Sequence, residues 1–128
     1  MQFVSYQVAG GSRVAGVRDG RLVDVQAADP LMPATLKALV ALGPEGLAKA
    51  AEAVRRGTPL VDPVRLLAPI PDPQKVLCVG LNYADHAKES GQAPPEEPVF
   101  FCKFPTAVAA HEQPIVLPRV SSQVDYEA

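Results

Sequence analysis

The chain has 128 residues, 48% of them apolar, and a formal net charge of −2, which suits one domain, or one small domain plus part of another, and excludes a disordered chain. Acidic and basic residues are mixed along the sequence with no basic stripe, which argues against nucleic acid as the main partner. No apolar run approaches the roughly 20 residues of a membrane helix, and the N-terminus lacks a signal-peptide pattern.

From the N-terminus, Phe3, Val4, Tyr6 and Val8 form an imperfect strand pattern. Gly10-Gly11 turns it, and Arg13 to Arg18 reads as a second strand. Asp19-Gly20 is a strong hairpin signal, because both residues accept the positive φ of a type I′ turn. Arg21 to Val25 completes a small antiparallel meander. A helix follows over Pro33 to Leu42, with Leu36, Leu39 and Val40 at helical spacing and Gly43 as its stop. Pro44 opens another, whose expected apolar face is Leu47, Ala48, Ala51 and Val54 and which ends at Gly57 after Arg55-Arg56.

Proline then becomes dense. The chain has 14, about twice the usual ~5%. Pro59, Pro63, Pro69, Pro71 and Pro73 fall between Thr58 and Gln74, a density that forbids regular helix and marks an extended domain boundary. Beyond it, Val64 to Leu67 and Val76 to Val79 read as buried strands of a second domain. Val99 to Cys102 is a further buried strand ending at Lys103, and Ile115 to Leu117 is another, stopped by Pro118. Cys78 and Cys102 lie in these apolar runs without CxxC spacing, so they are expected as buried free thiols in a reducing cytoplasm. His111 reads as a surface or turn residue.

The chemistry concentrates in Lys75 to Ser90, KVLCVGLNYADHAKES. A short strand delivers a polar, helix-prone segment, a common way to place reactive groups on a rigid support. His86 and Glu89 are three residues apart and share a helix face. A carboxylate beside an imidazole fixes its tautomer and raises its basicity, as a general base requires. The alternative is an exposed pair on a surface helix. Asn82 and Tyr83 either line the pocket or cap the helix, Asn82 being a good N-cap type. At the far end of the chain, Asp125 and Glu127 share a strand face. Two converging carboxylates suit Mg²⁺, Mn²⁺ or Ca²⁺, and the alternative is an acidic strand end facing water.

KVLCVGLNYADHAKES, then PPEEPVFFCKFPTA, then QPIVLPRVSSQVDYEA resembles the fumarylacetoacetate hydrolase family in order and spacing. The resemblance is strong from about Pro71 onward and extends to the 2-hydroxyhepta-2,4-diene-1,7-dioate isomerase branch. Residues 1–18 look like the small N-terminal domain of many bacterial members. It implies an α+β protein: a small N-terminal β-meander with helices over 1–70, linker included, then the start of a mixed β-roll catalytic domain over 71–128. It implies His86, oriented by Glu89, as general base and Lys103 as an oxyanion-stabilising cation. Members commonly show a Lys-Pro pair there, whereas this chain has Phe104 before Pro105. Asn82 and Tyr83 are the substrate-binding candidates. Glu127 matches the first glutamate of a Glu-x-Glu metal pair, Asp125 being a weaker match, with the remaining ligands expected beyond Ala128.

The resemblance further implies a divalent cation, Mg²⁺ foremost, and a small 2-oxo, enol or diketo acid substrate. Carbon–carbon hydrolysis and keto–enol isomerisation both fit, with aromatic catabolism as the setting. A homodimer is expected. The 128 residues are expected to be the N-terminal piece of a longer enzyme that joins its C-terminal part. The competing expectation is a non-catalytic fragment or binding module that keeps half of the fold.

Overall fold

Alternating side chains and two glycine-containing turns set up the first sheet. The computed structural model describes all residues except Ser90, Gln92, Pro94 and 125–128, and except the His86 side chain. Strands β1 (Phe3–Val8), β2 (Gly11–Arg18) and β3 (Arg21–Asp24) pair antiparallel in the order β1-β2-β3. The register runs from Phe3 opposite Gly16 to Val8 opposite Gly11, and from Ala15 opposite Asp24 to Arg18 opposite Arg21. Asp19 and Gly20 take φ of 50° and 72°, the left-handed values that a type I′ hairpin needs at both positions.

Three helices follow: α1 (Val25–Ala28), α2 (Leu36–Ala41) and α3 (Gly43–Arg56). The first starts where the Asp24 carboxylate accepts from Ala27 N, and the second where Thr35 Oγ1 accepts from Ala38 N. Each cap satisfies one of the orphan N–H groups of a helix start. At the other end of α3, Arg18 Nη1 donates to the carbonyls of Val54 and Arg55 at 3.1 and 2.6 Å. The core is Val14, Val23, Val25, Leu36, Leu39, Ala50 and Val54, with Phe3, Met32 and Leu47 packed against it. Gly16 lets α3 approach the sheet closely: a Cβ there would lie 2.4 Å from Val54 Cγ2.

The buried face of α3 matches the expected one at Val54 and differs elsewhere. Gly46, Ala50, Ala53 and Val54 are buried, while Ala48 is exposed and Ala51 only half-buried. Close packing selects the small residues, a Cβ at Gly46 falling 2.2 Å from Leu42 Cβ, and such residues carry little hydrophobic signal in sequence.

The proline-rich segment is also more than a connection. Leu60 N donates to Leu22 O at the β3 edge, then Gln7 N donates to Arg65 O and Leu67 N to Ser5 O at the β1 edge. Leu66 bridges Tyr6 antiparallel. Val64 to Leu67 is therefore an edge partner of the first sheet, not a strand of a second domain. The two outer strands carry backbone groups that need partners, and this segment supplies some of them.

Two units can be distinguished: Met1–Pro71 with the described residues from Ala109 onward, and Asp72–Val108. The second holds β4 (Val76–Gly80), α4 (Ala84–Glu89), β5 (Val99–Lys103) and a 3₁₀ turn at Pro105–Ala107. β4 and β5 form an antiparallel ribbon with Val76 opposite Lys103 and Gly80 opposite Val99. Both strands form where expected, but neither is buried. Leu77, Val79, Phe100 and Cys102 share one face, and all four are exposed. The other face carries the half-buried Val76, Cys78, Gly80 and Phe101. A two-stranded ribbon shields little by itself, since burial needs a second layer. For the same reason the thiols are not both buried: Cys78 is half-buried and Cys102 exposed. Ile115 to Leu117 forms no strand, and its side chains are 65–88% exposed.

Candidate active site

The candidate site begins where β4 ends. Leu81 has φ of 53°, a left-handed turn between strand and helix that a non-glycine residue seldom adopts. Tyr83 O then accepts from Ala87 N at 3.1 Å, which makes Tyr83, not Asn82, the residue preceding the first helical position. Both side chains are exposed. Their substrate-binding role rests on the sequence alone.

Helix α4 carries both members of the expected acid–base pair. His86 and Glu89 fall at i and i+3 of Ala84–Glu89, the spacing at which side chains of one face meet; the His86 side chain lies outside the described atoms. Ala87, 1% exposed, anchors the helix, while Asp85, Lys88 and Glu89 line an open depression on its outer side. Gly91, with φ of 67°, donates its N–H to Lys88 O and closes the last turn, a usual glycine role at a helix C-terminus.

Lys103 ends β5 opposite Val76. That is four residues, or roughly 13 Å along the ribbon, from the Gly80 end where the chain leaves for α4. Its Nζ sits 5.4 Å from the centroid of the Phe101 ring. The next residue, Phe104, is extended (φ −72°, ψ 147°) ahead of Pro105.

Asp125 and Glu127 lie outside the described residues. Among those described, no group of three or more His, Cys, Asp or Glu side chains is placed to hold a metal ion. Asp85 and Glu89 alone do not make a binding set for one. No described helix is long and apolar enough to cross a membrane. His111 is 65% exposed, with Nε2 3.8 Å from Glu112 Oε1. It borders a mostly apolar hollow formed with β1 and residues 66–69.

One polar cluster was not foreseen. In the first unit, Tyr6 OH donates to Asp24 Oδ2, Arg13 Nη2 lies 2.6 Å from Asp24 Oδ1, and Ala27 N donates to the same oxygen. Tyr6 and Asp24 are 5% and 3% exposed. Burial, reinforced by the Asp24 hydrogen bond and charge, pushes the Tyr6 hydroxyl up to about 12. Arg13 Nε is buried without a hydrogen-bond partner among the described residues. The signal was present in the hairpin register, which sets Arg13 opposite Tyr6 and diagonal to Asp24. Its fully satisfied carboxylate at a helix start reads as structural.

Residues 75–128 match the family model described as fumarylacetoacetate hydrolase C-terminal. That span covers β4, α4 and β5. The chain belongs to the fumarylacetoacetate hydrolase family. The mitochondrial oxaloacetate tautomerase Fahd2a of Rattus norvegicus is 38% identical over 110 residues, covering 84% of this chain and 35% of the relative. Oxaloacetate tautomerase fahd2 of Xenopus laevis is 34% identical over 111 residues, 85% of this chain and 35% of the relative.

Among solved structures, a putative HpcE protein from Mycobacterium smegmatis superposes with a TM-score of 0.68 at 27% identity, over 92% of this chain and 41% of that one. The fumarylacetoacetate hydrolase of Exiguobacterium antarcticum gives 0.58 at 32% identity, over 84% and 36%. The chain thus spans about a third of the length of the curated relatives it matches. Enzymes of this fumarylacetoacetate hydrolase family generally use divalent cations and act on small-molecule acids. The mixed helix and strand architecture agrees with the family fold.

Proposed function

We propose that this chain contributes the general-base segment of a divalent-cation-dependent enzyme that interconverts the keto and enol forms of a small 2-oxo acid. The observation that carries the reading is the match, at 34–38% identity over 110–111 residues, to relatives named oxaloacetate tautomerase; α4 then offers an imidazole and a carboxylate at i and i+3. Enolisation needs a base to take a proton from the carbon beside the 2-oxo group and an acid to return one to oxygen. His86, oriented by Glu89, does both in turn. Lys103 stabilises the oxygen on which negative charge develops. No atom is gained or lost, so no co-reactant is required.

Glu127, with Asp125 as a weaker second donor, offers the hard oxygen ligands that Mg²⁺, Mn²⁺ or Ca²⁺ prefer. When bound, such a cation acts as a Lewis acid toward the 2-oxo acid. Asn82 and Tyr83 stand on the strand-to-helix turn beside α4, where a substrate carboxylate would approach. The architecture beyond β4 is read as the start of a β-roll catalytic domain that works as a homodimer. A reducing compartment such as the cytoplasm suits the two free thiols. Water attack and carbon–carbon cleavage form the second reading, supported by the 32% identical hydrolase from Exiguobacterium antarcticum.

The test follows the enol absorbance of oxaloacetate with Mg²⁺ present. His86→Ala should lower turnover by about 10²–10⁴-fold, the range of a positioned general base, while the affinity for the cation changes little. Unchanged turnover removes His86 from the mechanism. Release of a cleaved product instead of tautomerisation favours the hydrolase reading.

A further inference from the structure

We propose that Phe101 is a positioning residue for Lys103, its ring face holding the ammonium so that the cation is presented to an anionic group of the substrate. The proposal rests on the reading of Lys103 as the oxyanion-stabilising cation. Phe101 and Lys103 are at i and i+2 of β5 and so share a face of the ribbon. The 5.4 Å separation of Nζ from the ring centroid is inside the roughly 6 Å range of cation–π attraction.

The ring is itself held. Phe101 is half-buried and directly opposite Cys78 across the ribbon. Its aromatic neighbours are unsuited to the task. Phe100 projects to the opposite face at 65% exposure, and Phe104 is 83% exposed beyond the strand. A lysine side chain has many rotamers, and a ring face beside the ammonium narrows where the cation sits. Backbone restriction does not reach Lys103 from the proline that follows, because the residue held extended by Pro105 is Phe104. The ring face supplies the confinement from the side-chain end. An ammonium seated on a ring keeps its charge and still donates N–H bonds sideways, which is what a carboxylate or enolate oxygen requires.

The contact can be read without catalysis. Lysine-labelled protein gives methylene resonances for Lys103 and for Lys37, Lys49, Lys75 and Lys88, and Lys103→Arg assigns the first. In the wild type the Lys103 Hε signals should lie upfield of the other four through the ring current. Phe101→Leu and Phe101→Met, both ringless, should abolish the displacement, and Phe101→Tyr should retain it. In the oxaloacetate assay the ringless variants should lose about two- to fivefold in kcat/KM, the equivalent of roughly 0.5–1 kcal/mol, and Phe101→Tyr should recover it.

Lys103 signals coincident with the other lysines overturn the contact. An upfield signal lost in a ringless variant whose kcat/KM is unchanged overturns the positioning role. Lys103→Gln with full activity overturns instead the reading of Lys103 on which the proposal rests, and the ring-current displacement, read separately, tells the two failures apart.

Discussion

The first sheet and the β4–β5 ribbon are built from similar sequence but reach different ends. In β2, Val14 and Ala15 are 1% and 0% exposed, because helices α2 and α3 and the 60–67 segment supply layers and edge partners. In the ribbon, Leu77 and Phe100 are 63% and 65% exposed on a face that no described element of that unit covers. Strand formation is decided by local pattern and by a hydrogen-bonded neighbour, and both regions have those. Burial is decided by a second layer. Among the described residues the first unit has the fuller one, so it should hold most of the stability measurable in this chain, at about 1.5–3 kcal/mol per fully buried large apolar side chain.

The largest expected effect is therefore in the first core. Leu39 is fully buried among Val14, Val23, Val25 and Val54, so Leu39→Ala should destabilise by about 2–5 kcal/mol in urea unfolding. A loss under 1 kcal/mol would mean that this core does not dominate the folding equilibrium, and the contrast between the units would fall with it.

Next comes the buried tyrosine. Its folded-state value of about 12 lies above the ordinary tyrosine value of 10.0. The native state thus keeps a proton that the unfolded state gives up between those two values. The stabilisation is complete below pH 10 and is lost as pH rises toward 12, by about 3 kcal/mol at most. Tyr6→Phe should flatten that part of the alkaline limb, measured by unfolding at pH 9, 10 and 11. Parallel limbs in wild type and variant would show that Tyr6 titrates alike in both states.

What was legible in the sequence divides along the same line. The three N-terminal strands, the Asp19-Gly20 turn, the long helix ending before Gly57 and the strand at Val76 all follow from local signals: alternation, positive-φ residues, helix stops and β-branched runs. The partners of Thr58 to Gln74 were not legible. Proline density says that the segment is extended, but the edges it joins depend on which backbone groups of β1 and β3 remain unpaired. The inner face of α3 was only partly legible: Val54 is buried as its apolar character suggests, but Gly46, Ala50 and Ala53 pack by being small, and a hydrophobicity pattern passes over them. At the candidate site, the helix carrying His86 and Glu89 could be anticipated from spacing. The exposure of Val79, Phe100 and Cys102 could not, since an apolar run reads the same whether or not a layer covers it. The carboxylates at Asp125 and Glu127 are outside the described residues, and their part in the site rests on the family pattern.

The smallest effect expected is also the sharpest test of the contrast. Phe100→Thr exchanges one strand former for another at a position whose side chain is 65% exposed, so it should change the unfolding free energy by no more than about 0.5 kcal/mol. Val14→Thr is nearly isosteric but buries a hydroxyl at a position 1% exposed, and should cost about 1–3 kcal/mol. The second substitution removes no carbon count to speak of and the first removes an aromatic ring, so an argument from side-chain size alone ranks them in the opposite order. If Phe100→Thr proves the more damaging of the two in urea unfolding, the ring is covered in solution. The ribbon then has a layer of its own, and the two units differ less than their exposures indicate.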